Sequence, residues 1–459
     1  MFPPTARLVP IALVFLCPQA APAQDSGLQL AYANPQQPAG DPQALAAEDW
    51  AVHGQTTFVA QYHPAFSALF SGTNSLTPKN QARETYDLTL YAGVRPWRGA
   101  EIWVNPELDQ GFGLSTTLGV AGFTSGEAYK VGHADVYPRI PRVFFRQTLN
   151  LGGNSQPLDA GANQLAGSQT ADRIVLTIGK FAVPDIFDTN RYAHDPRTDF
   201  LNWSVIEAGS FDYAADAWGY TYGAAAEWYQ DWWTIRSGLF NLSTTPNSKA
   251  LDTRVFDQYQ LDEEVEERHE LFGQAGKLKL LGFLSHGRMG AYNQATEIAL
   301  DTGSPANIAG VRKSHNRGGI SLNLEQQITE DVGAFARAGW AQGRYEAFDF
   351  TDINQTVSLG ASVSGRLWDR PDDTFGLALA RNSASNAARR FFAAGGLGIL
   401  VGDGKLLRSG AELIAETYYS IAVFGSAKAS IDYQYVSNPA YNRDRGPVSV
   451  FGVRVHAEF

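Results

Sequence analysis

The C-terminal segment of the chain constrains its fold more than any other feature. From Phe451 to Phe459 apolar and polar residues alternate strictly. One parity holds Phe451, Val453, Val455, Ala457 and Phe459, and the other holds Gly452, Arg454, His456 and Glu458. Because successive side chains of a β-strand point to opposite faces, this strand has one apolar face and one charged face. A soluble core does not accommodate the charged face, whereas a water-filled lumen behind a lipid-facing surface does.

The same alternation recurs on both sides of a turn at residues 96–99. The residues expected to face lipid are Leu88, Leu90, Ala92, Val94, Ile102 and Val104. The residues expected to face the lumen are Asp87, Thr89, Tyr91, Gly93, Arg95, Glu101, Trp103, Asn105 and Glu107. Between residues 218 and 228 the outer parity begins with Trp218, Tyr220 and Tyr222 and ends with Trp228, which is typical of aromatic girdles at the two membrane interfaces.

Segments of this kind predict an all-β fold, an antiparallel transmembrane barrel of about 16 strands. We place the strands near residues 50–60, 83–95, 99–107, 141–151, 173–182, 216–229, 232–243, 258–271, 276–289, 317–327, 331–342, 355–367, 374–383, 409–422, 426–437 and 448–459. The alternatives are a soluble β-sandwich or propeller, which the charged faces disfavour, and an α/β enzyme, for which long helical periods are scarce. The 45 glycines and the 12% aromatic residues agree with many strands and turns.

The N-terminus predicts export from the cytoplasm. Residues 1–23 combine Arg7, a short apolar run and an Ala-Pro-Ala site, which is the pattern of a secretory signal peptide. Residues 24–48 are rich in Pro, Gln and Ala and predict a flexible periplasmic lead-in, so the barrel domain spans residues 49–459. The single cysteine, Cys17, lies inside the predicted signal, so the mature chain has neither disulfides nor thiolate metal sites.

Charge and motifs exclude several functional classes. Removal of the signal takes away one positive charge and moves the net charge from −11 to −12, which would repel nucleic acid. The sequence contains no HExxH, GxSxG or P-loop motif, so we expect neither an enzyme nor a cofactor nor a dedicated metal site. The expected function is passive diffusion of small polar solutes through the barrel.

Arginines on the inner parity are the first candidates for a pore constriction. Arg142 and Arg146 share one face of their strand, and Arg173 and Arg95 point inward on others. A row of guanidiniums offers bidentate donors to sugar hydroxyls or anions. The alternative is that these arginines pair with neighbouring carboxylates and only make the lumen wall polar.

A long connection between residues 110 and 141 is the second candidate. It is rich in Gly, aromatic and hydroxyl residues, and Asn105, Glu107 and Asp109 lead into it. Long connections without secondary structure are usually functional or disordered, so we expect a loop folded into the lumen, with an external loop as the alternative.

The segment between residues 184 and 202 carries the densest polar chemistry. Its polar residues are Asp185, Asp188, Asn190, Arg191, Tyr192, His194, Asp195, Arg197 and Asp199, and the interleaved or flanking aromatic residues are Phe187, Phe200 and Trp203. Carboxylates beside aromatic rings fit the recognition of pyranose sugars. The same carboxylates with His194 would also suit a hard cation such as Mn²⁺, and a third interpretation is a surface loop stabilised by its own Asp and Asn turns. A further acidic run at residues 262–267 lies on a predicted strand and is interpreted as a solvated face near one rim; the alternative is that it biases the pore toward cations or neutral solutes.

Three stretches resemble the OprB-type carbohydrate-selective porins. They are residues 100–107 (AEIWVNPE), residues 178–181 (IGKF) followed by 185–195 (DIFDTNRYAHD), and the C-terminal strand that ends in Phe459. The likeness runs from about Asp49 to Phe459 and implies a sixteen-stranded barrel whose narrow eyelet selects sugars by hydrogen bonding and stacking. Phe459 is similar to the terminal signal by which outer-membrane proteins are recognised for assembly.

The combined prediction is an outer-membrane porin of a Gram-negative bacterium, most suited to carbohydrates, with a divalent-cation porin and a plugged structural or adhesive barrel as alternatives. The predicted constriction residues are Arg95, Glu107, Asp109, Arg142, Arg146, Arg173, Lys180, Asp185, Asp188, Asn190, Arg191, His194 and Asp195. The expected partners are small solutes, outer-membrane lipid and lipopolysaccharide, and the barrel-assembly machinery.

Overall fold

A computed structural model describes residues 47–128, 132–254, 256–349 and 351–459, and within these residues sixteen antiparallel strands close into a barrel. Each strand pairs with its neighbours in the chain, and the first strand pairs with the last, for example Thr57 with His456. Closure leaves no strand edge unpaired, which is what lets a β-sheet cross a membrane.

The strands are β1 Trp50–His63, β2 Gln81–Val94, β3 Ala100–Gly111, β4 His133–Leu158, β5 Gly167–Phe181, β6 Thr221–Tyr229, β7 Trp233–Asn241, β8 Tyr259–Leu271, β9 Gln274–Gly290, β10 Arg312–Gln327, β11 Val332–Ala341, β12 Gln355–Ser364, β13 Thr374–Ser383, β14 Glu412–Phe424, β15 Ala427–Ser437 and β16 Val448–Glu458. The α-helices are α1 Trp203–Ile206, α2 Tyr292–Thr302 and α3 Asn386–Ala393. None of the described helices is long and apolar enough to cross a membrane.

The two faces of each strand differ as the sequence alternation predicts. On β5, Ile178 is 59% exposed on the outer surface, whereas its neighbour Thr177 is 4% exposed and faces inward. On β16, Phe451, Val453 and Val455 are exposed, and Arg454 and His456 are buried inside the barrel. Exposed apolar side chains on an outer surface and buried charges on the inner one are the reverse of a soluble protein, and they match a barrel in lipid.

The two ends of the barrel are unequal. Seven short turns lie at the end that holds the start of β1 and the end of β16, and eight longer connections lie at the other end. Exposed Trp97, Trp228 and Trp232 lie near the short turns, and exposed Tyr222 and Trp340 lie near the long loops. Short turns are typical of the periplasmic side and long loops of the extracellular side.

The predicted number and order of strands are confirmed, but one strand begins later than predicted. The alternation between residues 218 and 228 predicted a strand from residue 216, whereas β6 begins at Thr221. The side chain of Asp216 accepts the N–H of Trp218, and its backbone carbonyl accepts the N–H of Gly219. These two hydrogen bonds form a turn, in which Gly219 has a left-handed φ of 101°. Trp218 and Tyr220 therefore belong to the preceding loop, and Tyr220 is buried in the lumen.

The acidic run at residues 262–267 is a strand, as its pattern predicted, but its interpretation as a solvated rim is wrong. Asp262, Glu264 and Glu266 face the barrel interior and are fully buried. Arg236 donates to both glutamates, over 2.8 Å to Glu264 and 3.0 Å to Glu266. Glu264 and Glu266 therefore belong to a buried ionic network on the lumen wall.

The predicted signal peptide, residues 1–23, and the predicted lead-in up to residue 46 lie outside the described residues. From Asp49 onward the chain belongs to the barrel, since its carbonyl accepts the N–H of Arg95 over 2.7 Å.

Candidate pore constriction

Two of the long loops fold into the lumen. The first is the β3–β4 loop, which reaches strands β1, β14 and β15 through residues 122–124. The carbonyl of Thr124 accepts the side-chain amides of Gln61 and Gln434 over 2.7 and 2.8 Å, and the backbone of Gly122 donates to Glu412 over 2.7 Å. The prediction that this connection folds inward is confirmed for residues 112–128, whereas residues 133–141, which were predicted to belong to it, are part of β4.

The second, the β5–β6 loop of residues 182–220, is fixed along its length by side chains of the barrel wall. Wall oxygens accept its backbone N–H groups in four contacts: Asp188 to Glu264 over 2.8 Å, Arg191 to Glu325 over 2.8 Å, Leu201 to Glu416 over 2.5 Å and Ala214 to Gln260 over 2.5 Å. A buried N–H without an acceptor is costly, so these contacts are what allow irregular backbone to lie inside the barrel.

Asp188 is the centre of a brace under this loop. Its carboxylate accepts the N–H of Ala208 over 2.6 Å, the amide of Asn323 over 2.7 Å and the guanidinium of Arg337 over 3.3 Å. Arg337 also donates to the carbonyls of Val205 and Ala193, each over 2.8 Å. The brace therefore ties both halves of the loop to β10 and β11.

Between the two loops lies a cavity of about 140 Å³. Its ionisable lining residues are Glu127, Arg142, Asp185, His194, Asp195, Arg197 and Glu207. Its aromatic lining residues are Phe123, Trp203, Tyr213, Trp218 and Tyr220. Both loops and strand β4 contribute residues to this lining, so the lumen is narrowed here from more than one side.

A bidentate ion pair forms one part of the lining. Arg142 on β4 donates to both oxygens of Asp185 over 2.8 and 2.6 Å. The guanidiniums of Arg142 and Arg139 both lie over the ring of Tyr220, 5.0 and 5.1 Å from its centroid. Fork-shaped pairing and cation–π contacts fix the orientation of Arg142.

A second guanidinium joins the two loops. Arg197 lies 3.4 Å from Glu127 in the β3–β4 loop and 3.8 Å from Asp195 in its own loop. Burial alone would raise the pKa of Asp195. The charge of Arg197 and a hydrogen bond from the backbone N–H of Arg197 outweigh this effect, so the pKa of Asp195 lies below its ordinary value. Asp195 is therefore an anion at neutral pH.

His194 and Glu207 behave as neutral groups in the same cavity. Their facing atoms, Nδ1 and Oε1, are 3.6 Å apart. Burial, and then the charge of Arg337, lowers the pKa of His194. Burial, and then the carboxylate of Asp188, raises the pKa of Glu207 well above its ordinary value. Neither group therefore adds charge to the cavity at neutral pH.

Aromatic rings provide the apolar part of the lining. Phe123 from the β3–β4 loop and Trp203 from the β5–β6 loop stack with ring centroids 4.9 Å apart and an interplanar angle of 17°. Tyr213 follows, 5.8 Å from Trp203. The cavity thus combines charged hydrogen-bonding groups with flat apolar faces.

Of the thirteen constriction residues predicted from sequence, Arg142, Asp185, His194 and Asp195 line the cavity. Asp188 belongs to the brace beneath it. Nearby, the amide of Asn190 donates to Asn323 over 2.7 Å, and the side chain of Arg191 lies 5.7 Å from the ring centroid of Tyr192.

The acidic pair predicted at the end of β3 lies outside the cavity lining. Glu107 and Asp109 both bind Arg139. Lys180 lies on the parity of β5 that faces outward, and its Nζ is 3.7 Å from Asp216. These three residues therefore act at or behind the wall and do not face the cavity.

Three predicted arginines lie at the short-turn end of the barrel. Arg95 donates to the carbonyl of Glu48 over 2.5 Å and to that of Ala166 over 3.1 Å. Arg146 donates to the carbonyl of Asn163 over 2.8 Å. Arg173 lies 3.8 Å from the ring centroid of Tyr229 and donates to the carbonyl of Thr170 over 3.1 Å. Arg95 and Arg146 tie the β4–β5 turn to the wall, Arg173 donates to a carbonyl of its own strand, and the predicted row of guanidiniums does not converge on one site.

Phe459 closes the seam between the first and last strands. Its N–H and carbonyl pair with Gly54 over 2.9 and 2.7 Å, and its ring covers the same glycine, so that a larger residue at position 54 would displace the ring. The residue lies at the short-turn end, 69% exposed.

Sequence reasoning did not assign Glu207, Tyr213, Trp218 or Tyr220 to the site, and it included Phe123 and Glu127 only as part of the candidate inward loop. Arg197 and Trp203 were noted only as part of the polar segment. The sequence signal that could have identified these residues is the length of the two loops, since any polar or aromatic residue on a loop inside the lumen is a candidate for the pore lining. Which of them converge depends on contacts between segments far apart in the chain.

Comparison with known proteins gives a consistent result. The OprB family, described as carbohydrate-selective porins, matches residues 73–459. The high-pH structure of OprB from Pseudomonas putida is 16% identical, covers 90% of this chain and 94% of its own, and has a TM-score of 0.66. The outer-membrane channel DcaP of Acinetobacter baumannii is 10% identical, covers 90% and 97%, and has a TM-score of 0.48. No curated protein shows significant sequence similarity to the chain.

Proposed function

Since this chain belongs to the OprB family of carbohydrate-selective porins, we propose that the cavity between its two inward loops is where it selects a carbohydrate. The protein is an outer-membrane porin for carbohydrates, and members of this family and fold are normally channels without enzymatic activity. The family and the barrel fold point to a Gram-negative outer membrane.

The observation that carries the proposal is the meeting of the Arg142–Asp185 pair with the stacked rings of Phe123 and Trp203 in one cavity. A sugar in water holds a shell of hydrogen-bonded water and has weakly apolar C–H faces. To pass a narrow pore it must exchange part of that shell for protein groups. The ion pair supplies donors and acceptors for hydroxyl groups, and the rings cover the C–H face.

The binding must be weak for transport to be fast. A hydrogen bond to a charged group contributes about 1.5–3 kcal/mol, but the sugar loses similar bonds to water. A net free energy of about −4 kcal/mol corresponds to a dissociation constant near 1 mM. At that strength a sugar enters the cavity readily and still leaves it, and the concentration gradient alone sets the direction of transport.

Three further parts of the proposal concern export and assembly. Residues 1–23 act as a cleaved signal peptide, and residues 24–48 form a periplasmic lead-in. Phe459, at the exposed end of β16, is recognised by the barrel-assembly machinery. The apolar outer face of the barrel contacts outer-membrane lipid and lipopolysaccharide.

Single-channel recording of the refolded mature protein tests the role of the cavity. We expect glucose or maltose at millimolar concentration to block the current. Arg142→Gln should weaken this block at least about tenfold, because a charged hydrogen bond contributes about 1.5–3 kcal/mol. Arg390→Gln on the exposed face of α3 is the control for loss of one arginine. A channel that conducts but that neither sugar blocks would overturn the assignment, and a protein without conductance would be a plugged barrel.

A further inference from the structure

The charged groups that a solute meets in the cavity are mainly carboxylates. In the Arg142–Asp185 pair the side chain of Asp185 is 21% exposed and that of Arg142 is 7% exposed. In the Arg197–Asp195 pair the values are 14% for Asp195 and 9% for Arg197. In both pairs the guanidinium lies behind its carboxylate.

Contacts with the surroundings explain why the guanidiniums are withdrawn. Arg142 lies over the ring of Tyr220, 5.0 Å from its centroid, and this ring covers one face of the guanidinium. Arg197 is held between the two loops by Glu127 and Asp195. Both arginines line the cavity, but each is less exposed than the carboxylate that it binds.

The groups that line the cavity also carry a net negative charge. Arg142 and Arg197 contribute two positive charges, and the carboxylates that they bind, Asp185, Glu127 and Asp195, contribute three negative charges. The formal excess is therefore one negative charge (3 − 2 = 1). His194 does not reduce the excess, since burial lowers its pKa. A narrow passage with low-dielectric walls focuses such a charge and enriches ions of opposite sign.

We propose that the cavity selects carbohydrates by charge, admitting neutral sugars and protonated amino sugars and disfavouring sugar acids and sugar phosphates. This inference rests on the proposed function, because it concerns the same cavity. An ammonium group on a pyranose ring meets the exposed oxygens of Asp185 and Asp195, and a carboxylate on the same ring meets like charge.

The test compares three sugars of one ring size and different charge: glucose, glucosamine and glucuronate. Their rates of entry into proteoliposomes are measured at neutral pH and about 0.1 M salt, and the reversal potential is measured in a potassium chloride gradient. Focusing fields enrich counter-ions by about tenfold or more. We therefore expect glucosamine to enter about tenfold faster than glucuronate, glucose to lie between them, and the channel to favour potassium over chloride.

Two sets of variants locate the effect. Asp185→Asn with Asp195→Asn removes the exposed carboxylates and should bring the glucosamine-to-glucuronate ratio close to one. Asp369→Asn with Asp372→Asn removes the same charge from the exposed β12–β13 turn, and it should leave the ratio unchanged. Asp369 has a left-handed φ of 63°, a conformation that asparagine also adopts, so the control is not strained. Heat-modifiable migration in gels shows whether each variant is folded, and the wild-type measurements apply even if the double variant fails to fold.

The outcomes separate the two proposals. If glucose enters but glucuronate enters as fast as glucosamine, or if the channel favours chloride, the charge selection is refuted and the carbohydrate channel remains. If the Asp369→Asn and Asp372→Asn variant brings the glucosamine-to-glucuronate ratio as close to one as the Asp185→Asn and Asp195→Asn variant does, the effect comes from the charge of the whole protein. The inference is then also refuted. If no sugar enters, the proposed function fails and the inference fails with it.

Discussion

The brace formed by Arg337 gives a prediction about how firmly the β5–β6 loop is held. Arg337 is buried in the lumen, and it donates to Asp188 and to the carbonyls of Val205 and Ala193. In Arg337→Ala the two carbonyls lose this donor, and Asp188 loses its ion-pair partner while it keeps the hydrogen bonds from Ala208 and Asn323. Removal of one partner of a buried ion pair costs about 3–5 kcal/mol.

This free-energy cost should weaken the attachment of the β5–β6 loop to the wall and leave the stability of the barrel unchanged. The strand pairing of β10, β11 and β12 uses backbone groups that the substitution does not alter. Because about 1.4 kcal/mol corresponds to a factor of ten, a loss of 3–5 kcal/mol raises the population of loops detached from the wall by roughly two to three and a half orders of magnitude. A detached loop widens the constriction.

Single-channel conductance measures this change directly. We expect Arg337→Ala to conduct several times more current than the wild type and to lose block by glucose, while heat-modifiable migration stays normal. Arg337→Lys keeps the charge but loses the planar guanidinium, so its conductance and its block by glucose should lie between those of the wild type and those of Arg337→Ala. Arg344→Ala, on the exposed β11–β12 loop, is the control. Unchanged conductance and block in Arg337→Ala would refute the reasoning that this brace holds the loop.

Three further predictions concern the ring stack, the terminus and pH. Trp203→Ala should weaken block by glucose about two- to tenfold, the equivalent of about 0.5–1.5 kcal/mol for an aromatic contact, whereas Trp97→Ala on the outer surface should not change it. Deletion of Phe459, which uncovers Gly54, should lower the amount of heat-modifiable barrel in the outer-membrane fraction, and a normal amount would argue against an assembly role. Cation selectivity should persist from pH 7 to pH 5. The pKa of Asp195 lies below the ordinary value of an aspartate, so this carboxylate stays ionised over that range of pH. A reversal potential that collapses by pH 5 would contradict this prediction.

The barrel was predictable from sequence because alternation is a local property. On β16 each residue's face follows from parity alone, and the structure places Arg454 inside and Val453 outside as predicted. The error at residues 216–220 has the same origin. Trp218 and Tyr220 continue the alternation, but the Asp216 turn removes them from the strand, and a parity pattern contains no information about such a turn.

The site was predictable only as a region. Asp185 and Asp188 are three residues apart in the same polar segment, yet Asp185 lines the cavity and Asp188 braces the loop. The difference is decided by partners distant in the chain, Arg142 for the first and Asn323 with Arg337 for the second. Sequence pattern identifies carboxylates on an inward loop, but it does not reveal which wall side chain each one meets.

Acidic residues inside the barrel perform two separate tasks. Irregular loops need acceptors for their N–H groups inside the barrel, and Glu264, Glu325, Glu412 and Glu416 provide them. A carboxylate suits this task because it accepts hydrogen bonds with both oxygens. Glu127, Asp185 and Asp195, which line the cavity, are a different set. In the charge selection proposed above, it is this second set that favours neutral and cationic sugars over anionic ones.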